Sequence, residues 1–150
     1  MEEQPNPNLM ILKDDLGAVI QESAMQDGVL EGETVIYTSG RPSARLRFHE
    51  GKHEGESLFY DEAGRVMVKA NYHNDRLHGK SFYYDAQGKL LKKSAYELGE
   101  LHGQCIAYHP NGKPREVWHY QKGRLEGEYV RLNEKGDILE RRMYSKGRAN

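Results

Sequence analysis

Residues Gly103–Gly123 read GQCIAYHPNGKPREVWHYQKG, and the fold of the whole chain follows from the pattern that they contain. Two runs containing apolar and aromatic side chains flank the four residues His109-Pro110-Asn111-Gly112. Pro110 pre-sets the φ of a type I turn, and Asn111 tolerates the next position. Gly112 supplies the positive φ that a three-residue hairpin loop with a bulge requires. The stretch therefore predicts a β-hairpin.

The chain repeats this stretch with a period of 24 residues. The glycine that closes the loop recurs at Gly40, Gly64, Gly88, Gly112 and Gly136. An aromatic residue follows each of them by eight positions, at Phe48, Tyr72, Tyr96, Tyr120 and Tyr144. A fixed period of this length indicates a repeat architecture, in which each unit packs on its neighbours. We identify five clear repeats over about 28–147 and one degenerate copy over about 8–27.

These repeats predict an all-β fold. We expect a meander of ~24-residue β-hairpins that forms an elongated, twisted, single-layer sheet of solenoid-like character. Residues 1–8 are expected to be a disordered lead-in and residues 9–27 a degenerate capping hairpin. A helical turn over 21–26 is the alternative within the cap. Residues 28–150 are expected to form the five hairpin repeats, in one domain with the cap.

A three-residue loop determines which residues oppose each other in the two strands beside it. It brings apolar or aromatic residues together in four repeats: Tyr60 with Val66, Tyr84 with Leu90, Tyr108 with Pro114, and Leu132 with Ile138. The shortened loop of the first repeat still pairs Tyr37 with Pro42. Regular alternation then predicts that Tyr72, Tyr96, Tyr120 and Tyr144 share this face, in one apolar stripe. We also expect a bend at the glycine that opens each repeat, such as Gly79, because the apolar pattern changes phase there.

The formal net charge is −1, but the charge is unevenly distributed. Residues 1–34 contain eight acidic residues and one lysine, about −7, whereas the remainder contains 21 basic and 15 acidic residues, about +6. A net charge near zero argues against nucleic acid or an anionic membrane as the partner. One cysteine, a polar acidic start and no apolar run near ~20 residues predict a cytoplasmic protein without signal peptide or membrane span.

The repeating unit is similar to the MORN repeat variant of bacterial proteins. The best-matching residues are Leu101, Gly103, Tyr108, Asn111, Gly112 and Tyr120. Over roughly four-fifths of its length the chain resembles the YwqK family, which is described as antitoxin-like. The matched residues shape turns and core, and the resemblance transfers no functional residue. The chain departs from the pattern in the shortened first loop and in the last repeat, where Leu132 and Arg142 occupy apolar columns.

The sequence predicts no catalytic residue, no metal site and no cofactor. His78 and His102 are repeat equivalents of Glu54 and Glu126, and we interpret the four as a solvated polar ladder rather than as metal ligands. Cys105 lies within a predicted strand and no neighbouring His or Asp is indicated, which favours a buried thiol over a nucleophile.

This fold favours protein binding by a non-catalytic module. We predict that the partner contacts Phe59, Tyr83 and Arg131, which vary between repeats on the face opposite the apolar stripe. The family resemblance implies an antitoxin- or immunity-like protein that masks a toxin or effector. The positive charge after residue 34 predicts an acidic surface on that partner. A phospholipid- or RNA-binding module and a structural scaffold are the alternatives, and the oligomeric state stays open.

Overall fold

The computed structural model describes residues 6–150, and over this range the chain is all-β. Its 17 strands are β1 Leu9–Lys13, β2 Val19–Gln26, β3 Val29–Thr38, β4 Arg41–His49, β5 Lys52–His53, β6 Gly55–Tyr60, β7 Val66–His73, β8 Arg76–Leu77, β9 Gly79–Tyr84, β10 Leu90–Glu97, β11 Glu100–Leu101, β12 Gly103–Tyr108, β13 Pro114–Gln121, β14 Arg124–Leu125, β15 Gly127–Leu132, β16 Ile138–Ser145 and β17 Arg148–Ala149. Of the predicted lead-in, residues 1–5 lie outside the described range. Residues 6–8 form a turn in which the Asn6 side chain accepts the Asn8 N–H at 2.9 Å. Residues 6–150 contain no helix long and apolar enough to cross a membrane.

The strands form one open sheet in which each strand pairs antiparallel with its neighbours along the chain. Each two-residue strand except β17 is followed by a six-residue strand, and both pair with the same preceding strand. For example, β8 and then β9 pair with successive parts of β7. Strands β1 and β2 form a hairpin from Leu9 to Gln26, so the described part of the cap is strand rather than helix. The predicted meander of hairpin repeats is confirmed.

The three-residue loops have the geometry that the sequence predicts. After β6, the Asp61 N–H donates to the carbonyl of Arg65 at 2.9 Å, and the Gly64 N–H donates to the carbonyl of Asp61 at 3.0 Å. The Asp61 carboxylate accepts the N–H groups of Ala63 and Arg65 at 2.9 and 3.0 Å. The predicted pairs beside the loops are present: Tyr60 with Val66, Tyr84 with Leu90, Tyr108 with Pro114, and Leu132 with Ile138.

The predicted single apolar stripe is wrong, because the second strand of each hairpin contains a bulge directly after the pair that adjoins the loop. Val66 opposes Tyr60, but Val68 opposes Phe59, which leaves Met67 as an extra residue. One extra residue reverses the side-chain alternation, so Tyr72 lies on the face of Phe59 and not on the face of Tyr60. The same bulge occurs at Ser43, Leu91, Arg115 and Leu139. We call the two sides the Tyr60 face, which carries Tyr60, Tyr84 and Tyr108, and the Tyr72 face, which carries Tyr72, Tyr96, Tyr120 and Tyr144.

A second irregularity in strand pairing occurs in each repeat at the predicted glycine. Tyr72 of β7 pairs with Leu77 of β8, and Val68 of β7 pairs with Tyr83 of β9. The segment from Leu77 to Tyr83 therefore contains two residues more than the segment of β7 that it faces. Gly79 lies in this segment with a φ of +90°, a conformation that costs glycine little. Two extra residues preserve the side-chain alternation, so this irregularity does not shift the apolar pattern to the other face as expected. The shift occurs at the bulge, and Leu77 stays on the Tyr72 face.

The tightest packing follows a row of small side chains on the Tyr72 face. In this row Ser57 opposes Ala70 and Ser81 opposes Ser94, and all four are at most 4% exposed. A single-layer sheet leaves such small side chains open to water unless larger neighbours cover them. Burial raises the pKa of the tyrosines that lie beside the row, Tyr72, Tyr96 and Tyr120. The tyrosines at the 24-residue period therefore form the cover of the core.

The two-residue turns at the opposite edge are bonded to one another through the predicted polar ladder. One Glu54 oxygen accepts the Asn74 N–H at 2.9 Å, and the other lies 2.7 Å from Nδ1 of His73. These contacts, the His73 bond first, lower the pKa of Glu54. Two repeats later the Nδ1 atom of His102 accepts the Lys122 N–H at 3.2 Å. The ladder thus joins adjacent turns, and among residues 6–150 no three His, Cys, Asp or Glu side chains are placed to hold a metal ion.

Candidate binding surface

The three predicted partner contacts lie in one row across the Tyr72 face. Val68 opposes Phe59 on one side and Tyr83 on the other. Two repeats after Tyr83 the row reaches Arg131, which opposes Glu116. The row therefore changes along the sheet from apolar side chains near Phe59 to charged ones near Arg131.

Tyr83 packs within this face and is half-buried. The Lys92 ammonium lies 5.2 Å from the centre of the Tyr83 ring, a cation–π distance. Burial, with a smaller contribution from the neighbouring Tyr83 hydroxyl, raises the pKa of Tyr96. The ring of Tyr83 thus connects the contact row to the buried tyrosines.

Arg131 belongs to a charge network at the last hairpin. Its Nε atom lies 3.2 Å from a Glu140 oxygen, and the other Glu140 oxygen bonds to Arg142. These bonds, the one from Arg131 first, lower the pKa of Glu140. Nearby, the Tyr129 hydroxyl donates to Glu116 at 2.9 Å. Arg131 therefore already has a carboxylate partner, and it is a weaker anchor for another protein than its exposure alone would indicate.

The Tyr60 face contains three repeat-equivalent hollows along the loop edge, which we call slots 1, 2 and 3. Slot 1 has a volume of about 380 Å³ and is lined by Arg41, Pro42, Arg45, Tyr60, Ala63 and Gly64. Slot 2 has a volume of about 390 Å³, and its lining includes Arg65, Val66, Lys69, Tyr84 and Gly88. Slot 3 has a volume of about 300 Å³, and its lining includes Lys89, Leu90, Tyr108, Asn111 and Gly112. Each slot combines a tyrosine and a loop glycine from one repeat with a cation and an apolar residue from the repeat before.

The cation that follows each loop glycine also joins neighbouring loops. The Arg41 guanidinium donates to the carbonyl of Glu62 at 3.0 Å. One repeat later Arg65 donates to the carbonyl of Ala86 at 3.2 Å, and the Lys89 ammonium lies 3.5 Å from the carbonyl of Pro110. The three bonds span the same number of residues. They hold the loops at a constant spacing, and they hold each cation in its slot.

One cation in each slot has no carboxylate partner. In slot 1 Arg45 pairs with Glu33 at 2.8 Å, and in slot 2 Arg65 pairs with Asp61 at 2.7 Å. The remaining slot cations, which form no ion pair within the described residues, are Arg41, Lys69 and Lys89. Lys69 instead lies 5.7 Å from the centre of the Tyr84 ring. Each slot therefore offers one uncompensated positive charge beside a tyrosine ring.

Sequence reasoning missed the slots because it placed their tyrosines in a continuous apolar stripe. A periodic signal was nevertheless present. A basic residue directly follows the loop glycine in four repeats, at Arg41, Arg65, Lys89 and Lys113. In the repeat after slot 3, Val117 and Leu132 stand where slots 1 and 2 have a second cation and a tyrosine.

His53 is a polar exception within the Tyr72 face. It occupies the position that Leu77, Leu101 and Leu125 take in later repeats. Its ring stacks on Tyr72 with 3.7 Å between the ring centres, and its Nε2 atom bonds to the buried Ser57 hydroxyl. Burial lowers the pKa of His53. The surroundings of the ring therefore disfavour its charged form.

The comparison with protein families supports the repeat assignment. The model of the MORN repeat variant family matches residues 54–74, 77–97 and 101–122, which form three of the repeats. MORN repeats generally serve as modules that bind proteins or membranes. A search of curated proteins found no match.

Solved structures match most of this chain at low sequence identity and low TM-score. A GtfA/B complex bound to UDP and GlcNAc has 12% identity and a TM-score of 0.35, over 95% of this chain and 25% of that chain. The Gap123 glycosylation-associated complex from Streptococcus agalactiae has 12% identity and a TM-score of 0.40, over 89% and 20%. A point mutant of S. aureus TarM, in complex with Fondaparinux, α-GlcNAc-glycerol and UDP, has 9% identity and a TM-score of 0.26, over 89% and 21%. The chain thus spans a quarter or less of the length of these proteins, and at these TM-scores their functions do not transfer to it.

Proposed function

We propose that this chain is a non-catalytic repeat module that binds and masks one acidic partner protein. The observation that carries the proposal is the open sheet itself, in which equivalent side chains recur across several repeats on two faces that no other element of residues 6–150 covers. Large hydrophobic side chains are exposed on it, including Met67 at 45%, Leu91 at 47% and Leu139 at 53%. Exposed apolar side chains beside charged ones are typical of protein interfaces.

The resemblance to the YwqK family supports a finer proposal for the partner. We infer a toxin or effector that is neutralised by stoichiometric masking in the cytoplasm, with Phe59, Tyr83 and Arg131 among the contacts. Phe59 and Tyr83 supply apolar and aromatic area, whereas Arg131 contributes less because Glu140 already neutralises it. The excess of basic residues after residue 34 favours an acidic surface on the partner.

Affinity purification tests this proposal. We expect the tagged full chain, expressed in its native cells, to retain one acidic protein in a 1:1 complex, and the association rate to fall as salt is raised. The double variant Phe59→Ala/Tyr83→Ala should weaken this complex at least tenfold, because aromatic anchors dominate many interfaces. Recovery of the chain alone, or an association rate that does not depend on salt, would contradict the proposal.

A further inference from the structure

We propose that slots 1, 2 and 3 bind one extended acidic segment of the partner, in the polyproline II conformation, with an acidic residue at every third position. This inference rests on the proposed function and specifies the surface and the chemistry of one contact. The segment places one carboxylate in each slot, beside Arg41, Lys69 and Lys89 respectively. The intervening residues cross the loop rims between the slots.

The spacing of the slots selects the conformation of the segment. Successive slots are one repeat apart, which is two strands of the sheet, or about 9.6 Å at the usual separation between strands. A polyproline II chain rises about 3.1 Å per residue with three residues per turn, so every third side chain points the same way at intervals of about 9.3 Å. A β-strand alternates sides at every residue, so side chains three positions apart would point in opposite directions.

The chemistry of each slot matches a carboxylate attached to a polyproline II chain. Arg41 donates one N–H to a loop carbonyl and retains further donors, while Lys69 and Lys89 provide ammonium groups without a carboxylate partner in the described chain. Tyr60, Tyr84 and Tyr108 line the slots with aromatic surface. Aromatic-lined grooves are a recurrent way of binding proline-rich segments, which lose little entropy on binding.

The loops hold the slots in place before any ligand arrives. The bonds from Arg41, Arg65 and Lys89 to the carbonyls of the next loop connect the slots in sequence. A row that is already ordered avoids part of the entropy cost of binding. The segment therefore meets three slots that are one repeat apart, so its affinity depends on the spacing of its own acidic residues. The free cation of slot 2, Lys69, lies four residues further along its repeat than Arg41 and Lys89 lie along theirs, and its long side chain brings the ammonium to the Tyr84 ring.

The test uses the full chain and a fluorescein-labelled (Glu-Pro-Pro)4 peptide, with fluorescence anisotropy at low salt. A peptide of the same composition, with its four glutamates contiguous, is the matched control for spacing. We expect (Glu-Pro-Pro)4 to bind at least fivefold tighter than the contiguous peptide, and (Gln-Pro-Pro)4 not to bind measurably. Equal affinities for the two acidic peptides would overturn the proposal, because charge alone would then explain binding.

Variants of the chain locate the site. Arg41→Gln/Lys69→Gln/Lys89→Gln should weaken binding of (Glu-Pro-Pro)4 at least tenfold. Lys52→Gln/Lys122→Gln/Lys135→Gln removes the same charge at exposed positions outside the slots and should change affinity less than twofold. Lys69→Gln alone leaves the loop bonds intact and should cost two- to fivefold, as exposed charge pairs do. Equal losses in the two triple variants would overturn the assignment to the slots.

The outcome separates this inference from the proposed function. If the natural partner binds the slot variant as tightly as the wild-type chain, the slot assignment fails while the masking function stands. If slot-dependent binding is seen only with single-stranded oligouridine or with phosphatidylserine vesicles, and not with (Glu-Pro-Pro)4, the proposed peptide occupant is wrong. If (Glu-Pro-Pro)4 binds as expected but no partner protein is recovered, the proposed function fails and the slot assignment stands.

Discussion

The two faces of the sheet carry tyrosines of the same period in opposite environments. Tyr72, Tyr96 and Tyr120 lie beside the buried row of small side chains, where burial raises the pKa of each. Tyr60, Tyr84 and Tyr108 line open slots with cations beside them, although burial raises the pKa of Tyr108 as well. The two sets are separated by only 12 positions in the repeat, and by one bulged residue in register.

This comparison shows that a repeated residue type does not imply a repeated role. The bulge residue, Met67 in the second repeat, decides which tyrosines face the core and which face the slots. The number of residues in the second strand of each hairpin therefore controls both the packing and the proposed binding surface.

The largest effect is expected from inserting one alanine between Val68 and Lys69, after the bulge at Met67. Regular alternation would then turn Ala70 and Tyr72 to the Tyr60 face and open the small-residue row around Ser57 to water. We expect the insertion to remove most of the roughly 5–15 kcal/mol by which a domain of this size is stable. Urea unfolding followed by circular dichroism would measure the loss.

The matched control is deletion of Gln87 in a loop. It shortens that loop to the two-residue form that the first repeat already has at Ser39-Gly40, without changing the bulge at Leu91. We expect this deletion to cost about 1 kcal/mol or less, because surface loops tolerate small length changes. Similar losses in the insertion variant and the loop-deletion variant would show that the register of β7 has no special role.

Identical substitutions in the two tyrosine sets should affect stability unequally. Tyr96→Leu removes part of the cover over the buried row and should cost about 2 kcal/mol. Tyr84→Leu reproduces the residue of the last repeat, Leu132, and should cost about 0.5 kcal/mol or less. For binding of (Glu-Pro-Pro)4 the order should reverse, with Tyr84→Leu the more harmful change. The same order in both measurements would remove the distinction between the faces.

Two buried serines in the small-residue row should respond with opposite signs. The Ser94 hydroxyl has no hydrogen-bond partner in the described chain, so Ser94→Ala should raise the free energy of unfolding by about 1 kcal/mol. The Ser57 hydroxyl bonds to His53, so Ser57→Ala should lower it by about 1 kcal/mol. Denaturant midpoints of the two variants would measure both changes. A loss of stability in both variants would show that the Ser94 hydroxyl has a hydrogen-bond partner, as the Ser57 hydroxyl does.

The smallest effect concerns the pH dependence of stability at His53. Burial lowers the pKa of His53 below 6.5 in the folded chain, so its contribution is present above pH about 6.5 and is lost as pH falls through the folded pKa. His53→Leu, which restores the leucine of later repeats, should flatten this part of the curve of stability against pH.

The contribution of His49 to stability depends on pH in the opposite direction, because its bond to Glu31 raises the pKa of His49. Its contribution is present below pH about 6.5 and is lost as pH rises through the folded pKa, so His49→Gln should flatten that part instead.

Much of the fold was predictable because turn chemistry is local. The period, the three-residue loops closed by residues such as Gly64 and the first pair beside each loop, such as Tyr60 with Val66, depend on residues close in sequence. The faces were not predictable in the same way. A bulge at Met67 carries no glycine or proline to mark it, and one unmarked residue is enough to exchange the faces.

The candidate surface was predictable only in part. Phe59, Tyr83 and Arg131 do share a row, as alternation within the first strands requires. Their surroundings depend on the opposing strand, so the bond between Arg131 and Glu140 could not be anticipated. The slots combine side chains from two repeats. The sequence shows that a basic residue such as Arg41 recurs after the loop glycine, but it does not show the strand register that places this residue beside a tyrosine of the next repeat.

The most direct test of the separation between the two tyrosine sets is an NMR titration of the full chain with its tyrosines labelled with ¹³C at Cζ. Spectra would be recorded as (Glu-Pro-Pro)4 is added, with assignments from single Tyr→Phe variants. We predict that the signals of Tyr60, Tyr84 and Tyr108 shift in proportion to occupancy while those of Tyr72, Tyr96 and Tyr120 stay in place. Shifts in the second set, or shifts spread equally over both sets, would contradict the account.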